Sequence, residues 1–97
     1  MCEVLKRLEE VIRRRLEEKN PQSYTYRLYS SGIHNVARKV GEEAVELTVA
    51  TLAEGRERVV AEAADLLYHT LVLLHTKNLT LDDVCQELAK RMKPITA

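Results

Sequence analysis

Hydrophobic residues recur at intervals of three and four positions along almost the whole chain, which is the spacing of one face of an α-helix. No stretch alternates between hydrophobic and polar residues as a half-buried strand does. The pattern predicts an all-α protein with four main helices and a short one between the first and second of them. The predicted main helices cover residues 2–18, 33–53 and 57–77, and the last begins at Thr80.

Several residues mark where these helices begin and end. Asn20-Pro21 ends the first helix, because the residue before a proline avoids helical dihedral angles. Ser23 is a suitable cap for the short helix, and Pro94 stops the last one. Gly41 lies inside the second main helix, where glycine costs about 1 kcal/mol relative to alanine. We therefore expect another helix or a ligand to approach closely at Gly41.

The third main helix has few charged residues. Between Val59 and Thr76, Glu62 and Asp65 are the only residues with a formal charge, apart from two histidines. A helix that is apolar almost all round is expected to be buried, and a chain of 97 residues has little else to cover it. We expect a single domain over residues 1–97, with a helical bundle that is completed by dimerisation.

Composition excludes some classes of protein. Fifteen basic and fifteen acidic residues give a formal net charge of zero, which disfavours a nucleic-acid binder or a protein of the membrane surface. No signal peptide or membrane-spanning run is visible, so a cytoplasmic location is expected. Cys2 and Cys85 are too few for a disulfide framework or a zinc site.

The candidate chemistry lies in the carboxylates of the two central helices. Carboxylates that meet in a core must be protonated, paired or bound to a cation, and no run of Lys or Arg matches those of the third helix. Oxygen ligands without Cys or paired His favour Mg²⁺ or Mn²⁺. Such a site clamps phosphate oxygens and suits attack on phosphorus. The acids concerned are Glu42, Glu43, Glu46, Glu62 and Asp65.

Two other interpretations of these acids are weighed against this one. They could form a buried salt-bridge network with a purely structural role. A di-iron bundle would need Glu-x-x-His motifs, but Glu46 and Glu62 are followed three residues later by Val49 and Asp65. His69 is therefore expected to be a core histidine or one that supports the site.

Basic and aromatic residues near the acids are candidates for substrate binding. Lys39 lies one turn before Glu42 and Glu43 and could hold a phosphate or pair with the glutamates; Arg38, one position off that face, could do the same. Residues 22–32 contain three tyrosines and Arg27, which either pack with their polar tips in water or form a rim for a base and its phosphates. The candidates are Tyr24, Arg27, Arg38 and Lys39.

Four segments in this order resemble the phosphoribosyl-ATP pyrophosphatases, a family within the MazG-like superfamily of all-α nucleotide pyrophosphatases. The resemblance covers about residues 23–92 and includes the paired motif Glu-x-x-Glu and Glu-x-x-Asp. The segments are Ser23-Tyr24-Thr25, Lys39-Val40-Gly41-Glu42-Glu43-Ala44-x-Glu46, Glu62-x-Ala64-Asp65-Leu66-Leu67-Tyr68-His69 and Leu79-x-Leu81-Asp82-Asp83-Val84.

This resemblance implies hydrolysis of phosphoribosyl-ATP to phosphoribosyl-AMP and pyrophosphate, the second step of histidine biosynthesis. It implies in-line attack of a Mg²⁺-activated water on the α-phosphorus, with Mg²⁺ or Mn²⁺ as the cofactor. By motif, Glu42 is a further ligand or orients the water, and Lys39 contacts phosphate. The implied metal ligands are Glu43, Glu46, Glu62 and Asp65, and the implied catalytic residues are Glu42, Glu43, Glu46 and Lys39.

The family also implies an assembly and a partner. The expected assembly is a homodimer or a dimer of dimers, and a cyclohydrolase on a separate chain is expected to take the next step. Two other functions stay open. A house-cleaning pyrophosphatase for nucleoside triphosphates would use the same acids with a different pocket, and a helical interaction module would tolerate Ala at the acidic positions.

Overall fold

The computed structural model describes residues 2–92, and these form five helices without a strand. They confirm the all-α prediction, and the bounds of the first three main helices agree with the predicted ones to within one residue. The predicted stop at Pro94 lies outside the described residues. The helices are α1 (Glu3–Glu18), α2 (Tyr24–Ser30), α3 (Ile33–Ala53), α4 (Arg56–Thr76) and α5 (Leu81–Arg91).

Side-chain caps define two of the helix starts. The Ser23 hydroxyl accepts a hydrogen bond of 3.3 Å from the Tyr26 amide at the start of α2. At α5, the Thr80 hydroxyl accepts from the Asp83 amide at 3.2 Å, and an Asp83 carboxylate oxygen accepts from the Thr80 amide at 2.8 Å. This reciprocal capping box satisfies two amides that have no partner within the helix.

The two central helices, α3 and α4, form an antiparallel hairpin. They are joined by the short link Glu54–Gly55 and make the most extensive helix–helix contact in the described chain. The helices α1 and α2 also pack against α4, and α2 packs against α3. The core between them consists of Ile12, Leu28, Val36, Leu71 and Val72.

Residues 2–92 do not cover the apolar side chains of their own central hairpin. On α3, Leu52 is 82% exposed and Val45 is 63% exposed, and on α4, Val60 is 58% exposed. Contiguous apolar surface of this kind marks an interaction site more often than a free surface. No helix within residues 2–92 is long and apolar enough to cross a membrane. The described part of the chain therefore does not bury the third main helix completely, and dimerisation stays a prediction.

The expected close neighbour of Gly41 is not part of the described chain. A Cβ atom built at Gly41 would meet nothing within 4 Å. Gly41 itself is exposed, on the same helix as the glutamates. If something approaches Gly41 closely, as the sequence predicts, it is a helix of a second copy of the chain or a ligand.

Candidate active site

Three carboxylates meet between the central helices, and we call them the acidic cluster: Glu43 on α3, and Glu62 and Asp65 on α4. One carboxylate oxygen of each lies within 4.8 Å of the other two. Glu43 is 7% exposed and Glu62 is 4% exposed, whereas Asp65 is exposed. The hairpin explains the cluster, because residues three apart on α4 share the face that meets α3.

Two oxygens of the acidic cluster have no hydrogen-bond partner. Within residues 2–92, Oε2 of Glu43 and Oε2 of Glu62 are buried and accept no hydrogen bond. Burying an ionised carboxylate without a partner is costly. Three carboxylates with two unsatisfied buried oxygens provide the oxygen donor set that a hard divalent cation prefers. The acidic cluster therefore fits a divalent cation.

Glu46 lies beside the acidic cluster but is not one of its three members. Burial raises the pKa of the Glu62 carboxyl above its ordinary value, and the neighbouring Glu46 carboxyl raises it further. Arg58 opposes this rise. Of the four predicted metal ligands, the structure brings Glu43, Glu62 and Asp65 together and places the exposed Glu46 next to Glu62.

Arg58 is the site residue that the sequence analysis missed. Its guanidinium donates a hydrogen bond to Oε1 of Glu62, and its Nε lies 3.4 Å from Oε1 of Glu54. The sequence offers no run of Lys or Arg to match the acids of the third helix, but this single arginine pairs with Glu62 in the structure. The signal was present, because Arg58 precedes Glu62 by four residues and such pairs meet on a helix surface.

Lys39 lies next to the acidic cluster, whereas Arg38 and Glu42 lie outside it. The Lys39 ammonium nitrogen is 3.8 Å from Oε1 of Glu43 and 3.6 Å from Oε1 of Glu42. The Arg38 guanidinium donates to Oε2 of Glu42 and to Oδ1 of Asn35, and both Arg38 and Glu42 are exposed. The structure thus separates Lys39 from Arg38, although the sequence offered both as phosphate ligands.

Three of the four predicted substrate-binding residues share one cavity, which we call the Tyr24 groove. Its volume is about 300 Å³, and Lys39 belongs to both the groove and the surroundings of Glu43. Arg27 also donates a hydrogen bond of 2.9 Å to the Pro21 carbonyl, which fixes its guanidinium. Arg38 does not line the groove. The lining residues are Tyr24, Arg27, Leu28, Ser31, Asn35 and Lys39.

A second cavity, of about 240 Å³, is lined by both residues of the ion pair between Arg58 and Glu62. Its lining combines exposed apolar side chains of α3 with charged ones of both central helices. The residues are Val45, Glu46, Val49, Glu54, Arg58 and Glu62. The charged site and the uncovered apolar surface are therefore contiguous.

Comparison with known proteins finds one family and its members over nearly the whole chain. The family described as phosphoribosyl-ATP pyrophosphohydrolase matches residues 5–92. The chain is 75% identical over 92 residues to the phosphoribosyl-ATP pyrophosphatase of Pyrobaculum islandicum, covering 95% of this chain and 98% of the relative. Identity to the protein of that name from Pyrobaculum neutrophilum is 77%, with the same coverage. A relative of that name from Metallosphaera sedula is 56% identical over 93 residues, with 96% and 100% coverage.

Proposed function

Because the chain belongs to the phosphoribosyl-ATP pyrophosphohydrolase family, we propose that its acidic cluster binds Mg²⁺ for the hydrolysis of phosphoribosyl-ATP to phosphoribosyl-AMP and pyrophosphate. This reaction is the second step of histidine biosynthesis, and the chain is a hydrolase. The proposal for the metal rests on one observation above all. Two buried carboxylate oxygens, on Glu43 and Glu62, have no protein partner in the described chain, and these two residues meet Asp65 in the acidic cluster.

The chemistry of the donor set supports Mg²⁺, with Mn²⁺ as an alternative. All the converging ligand atoms are carboxylate oxygens, which suit hard cations. Glu43, Glu62 and Asp65 would hold the ion, and Glu46 would complete the set from its place beside Glu62. When bound, Mg²⁺ neutralises charge on phosphate oxygens and makes a nearby water more acidic.

The chain's own residues would position the substrate for in-line displacement at the α-phosphorus. Lys39 stands between the Tyr24 groove and Glu43, so its ammonium group can hold a phosphate beside the acidic cluster. Arg27 and Tyr24 would bind the more distant parts of the nucleotide. Glu42 and Glu46 flank the cluster, and one of them would orient the attacking water. Arg38 has no place in this arrangement.

We also propose that the active form is a homodimer built on the central hairpin. The exposed apolar residues of α3 and α4 support this proposal, since they are too large a set to face water without cost. A partner on this face would close the second cavity beside Glu46 and Glu62. The residues that would be covered are Val45, Val49, Leu52, Val60 and Leu67.

Two further expectations complete the proposal. The product phosphoribosyl-AMP would be the substrate of a cyclohydrolase. The enzyme would act in the cytoplasm.

Substrate selectivity tests the proposed reaction. Pyrophosphate release would be measured with Mg²⁺ and equal concentrations of phosphoribosyl-ATP, ATP and dUTP, and phosphoribosyl-AMP would be identified as the second product. Selective release from phosphoribosyl-ATP is expected. Release from ATP and dUTP at equal or higher rates would instead indicate a house-cleaning pyrophosphatase. No release from any of the three would return the acids to a structural role.

A further inference from the structure

A buried histidine connects the acidic cluster to the Tyr24 groove. His69 on α4 is 5% exposed. Its Nδ1 lies 2.7 Å from the backbone carbonyl oxygen of Asp65, and its Nε2 lies 3.0 Å from the Tyr24 hydroxyl oxygen. The His69 ring therefore contacts both the backbone of Asp65, a member of the acidic cluster, and the side chain of Tyr24, which lines the groove.

These two contacts assign the protons. A carbonyl oxygen can only accept a hydrogen bond, so Nδ1 of His69 carries the hydrogen that it donates to Asp65. In the neutral ring, Nε2 then has a lone pair, and the Tyr24 hydroxyl must donate its single hydrogen to it. The phenolic oxygen of Tyr24 is left as an acceptor only. Since Tyr24 is 45% exposed and lines the groove, this acceptor is available to a ligand.

Neighbouring aromatic residues hold the imidazole ring in this orientation. The Tyr68 ring meets the His69 ring edge to face, with centroids 4.9 Å apart. The Tyr68 hydroxyl is itself fixed by a hydrogen bond of 2.5 Å with the Thr25 hydroxyl on α2. Rotation of the His69 ring would break its contacts with the Asp65 carbonyl on α4 and with the Tyr24 hydroxyl on α2.

We propose that His69 is a positioning residue that fixes the Tyr24 hydroxyl as a hydrogen-bond acceptor toward the bound nucleotide. The proposal rests on the proposed function, which makes the Tyr24 groove the nucleotide site. An acceptor repels phosphate oxygens and attracts N–H or O–H groups of a base or a ribose. Phosphates are thereby directed toward Lys39, and the nucleoside end toward Tyr24. The His69–Tyr24 pair thus sets which way round the nucleotide lies.

Matched substitutions separate the two hydrogen bonds of His69. In His69→Asn, the amide N–H can replace Nδ1–H toward Asp65, but Nε2 is lost. In His69→Gln, the longer amide can present its oxygen to Tyr24 in place of Nε2. Tyr24→Phe removes the hydroxyl and keeps the ring. Thermal unfolding and helical content would be checked for each variant first.

The proposal predicts a change in KM with little change in kcat. Tyr24→Phe and His69→Asn should each raise KM for phosphoribosyl-ATP by about three- to tenfold, the effect of losing one hydrogen bond. The double variant should have the KM of Tyr24→Phe alone, because His69 acts through Tyr24. His69→Gln should lie closer to wild type. Effects that multiply in the double variant, or a fall in kcat without a change in KM for His69→Asn, would overturn the proposal.

A measurement without substrate distinguishes failure of this inference from failure of the proposed function. The tautomer of His69 would be read from ¹⁵N-labelled, metal-free protein by NMR, with the signal assigned by its loss in His69→Gln. We expect hydrogen on Nδ1, an unprotonated Nε2, and a shift of the Nε2 signal in Tyr24→Phe. A hydrogen on Nε2 would overturn the inference even if the enzyme turns over phosphoribosyl-ATP. The expected tautomer in a protein without turnover would refute only the proposed function.

Discussion

Arg58 and Glu62 lie one turn apart on α4, and the Arg58 guanidinium donates to one Glu62 carboxylate oxygen while the other oxygen is buried without a partner. The two ends of this ion pair differ in environment, since the Arg58 side chain is 58% exposed and that of Glu62 is 5% exposed. A divalent cation at the acidic cluster would use the free oxygen of Glu62 and be repelled by Arg58. If the acidic cluster binds a divalent cation as proposed, Arg58 would oppose its binding at Glu62.

Arg58→Gln should raise the affinity for Mg²⁺ in the absence of nucleotide. The expected gain is about two- to fivefold, because an ion pair with one exposed partner contributes no more than about 1 kcal/mol. Isothermal titration calorimetry would measure it. Arg56→Gln, which removes the same charge from an exposed position on α4, is the control. Equal gains in both variants, or weaker binding in Arg58→Gln, would contradict competition at Glu62.

The raised pKa of Glu62 makes the stability of the metal-free protein depend on pH. In the folded state this carboxyl retains its proton above the ordinary pKa of 4.5. The folded protein then binds more protons than the unfolded chain, so this contribution is present below 4.5 and is lost as the pH rises through the raised pKa. In Glu62→Gln the side chain at this position is neutral at every pH, so the variant does not lose this contribution to folding stability as the pH rises.

Thermal unfolding in EDTA would measure this effect as the melting temperature of Glu62→Gln minus that of wild type. The difference should become more positive between about pH 4 and about pH 7. Mg²⁺ at the higher pH should reduce the difference by stabilising wild type alone. A difference that stays constant or falls with pH would mean that Glu62 is not strained by burial and by Glu46.

Lys39 and Arg38 are neighbours in sequence with different expected roles. Lys39→Met should raise KM for phosphoribosyl-ATP by about ten- to a hundredfold, the effect of losing a hydrogen bond to a charged group. Arg38→Met should change it by less than about threefold, because Arg38 contacts only Glu42 and Asn35 and its loss costs little at an exposed position. Steady-state kinetics of the two variants would compare them. Equal effects would show that Arg38 also reaches the substrate.

Leu52→Glu should dissociate the proposed dimer. Leu52 is 82% exposed in the chain, so a charge there leaves the monomer fold intact but is costly inside an apolar interface. Sedimentation over a range of protein concentrations would measure the shift from dimer to monomer. Val4→Glu on α1 is the control, since Val4 is 59% exposed on a different helix. A wild-type protein that sediments as a monomer, or an unchanged dimer in Leu52→Glu, would contradict an interface on the central hairpin.

The helices could be predicted from sequence because their signals are local. Hydrophobic spacing and capping residues such as Ser23 and Thr80 act within a few positions, and both capping hydrogen bonds are present in the structure. The approach of Glu43 to Glu62 depends on how α3 and α4 pack, which spacing within one helix does not encode. For the same reason the sequence could not show that Glu43, Glu62 and Asp65 converge while Glu46 lies beside Glu62.

Two other features of the site escaped the sequence analysis for different reasons. The contact between Tyr24 and His69 joins residues 45 positions apart, so no local pattern predicts it. The pair of Arg58 with Glu62 is local, but Arg58 lies just before the apolar stretch from Val59 to Thr76, and that stretch itself contains no Lys or Arg. Burial was overestimated at Asp65, which was expected to be buried in an apolar helix and is exposed.

The most direct test of the account is pyrophosphate release from phosphoribosyl-ATP as a function of Mg²⁺ concentration, in wild type, Glu62→Gln and Asp65→Asn. Glu57→Gln, exposed on α4, is the control for loss of a negative charge. We predict that EDTA abolishes release by wild type and by the control, and that the two cluster variants lose about a hundredfold or more while remaining helical. Release that is independent of Mg²⁺, or unchanged in both cluster variants, would contradict a metal centre at the acidic cluster.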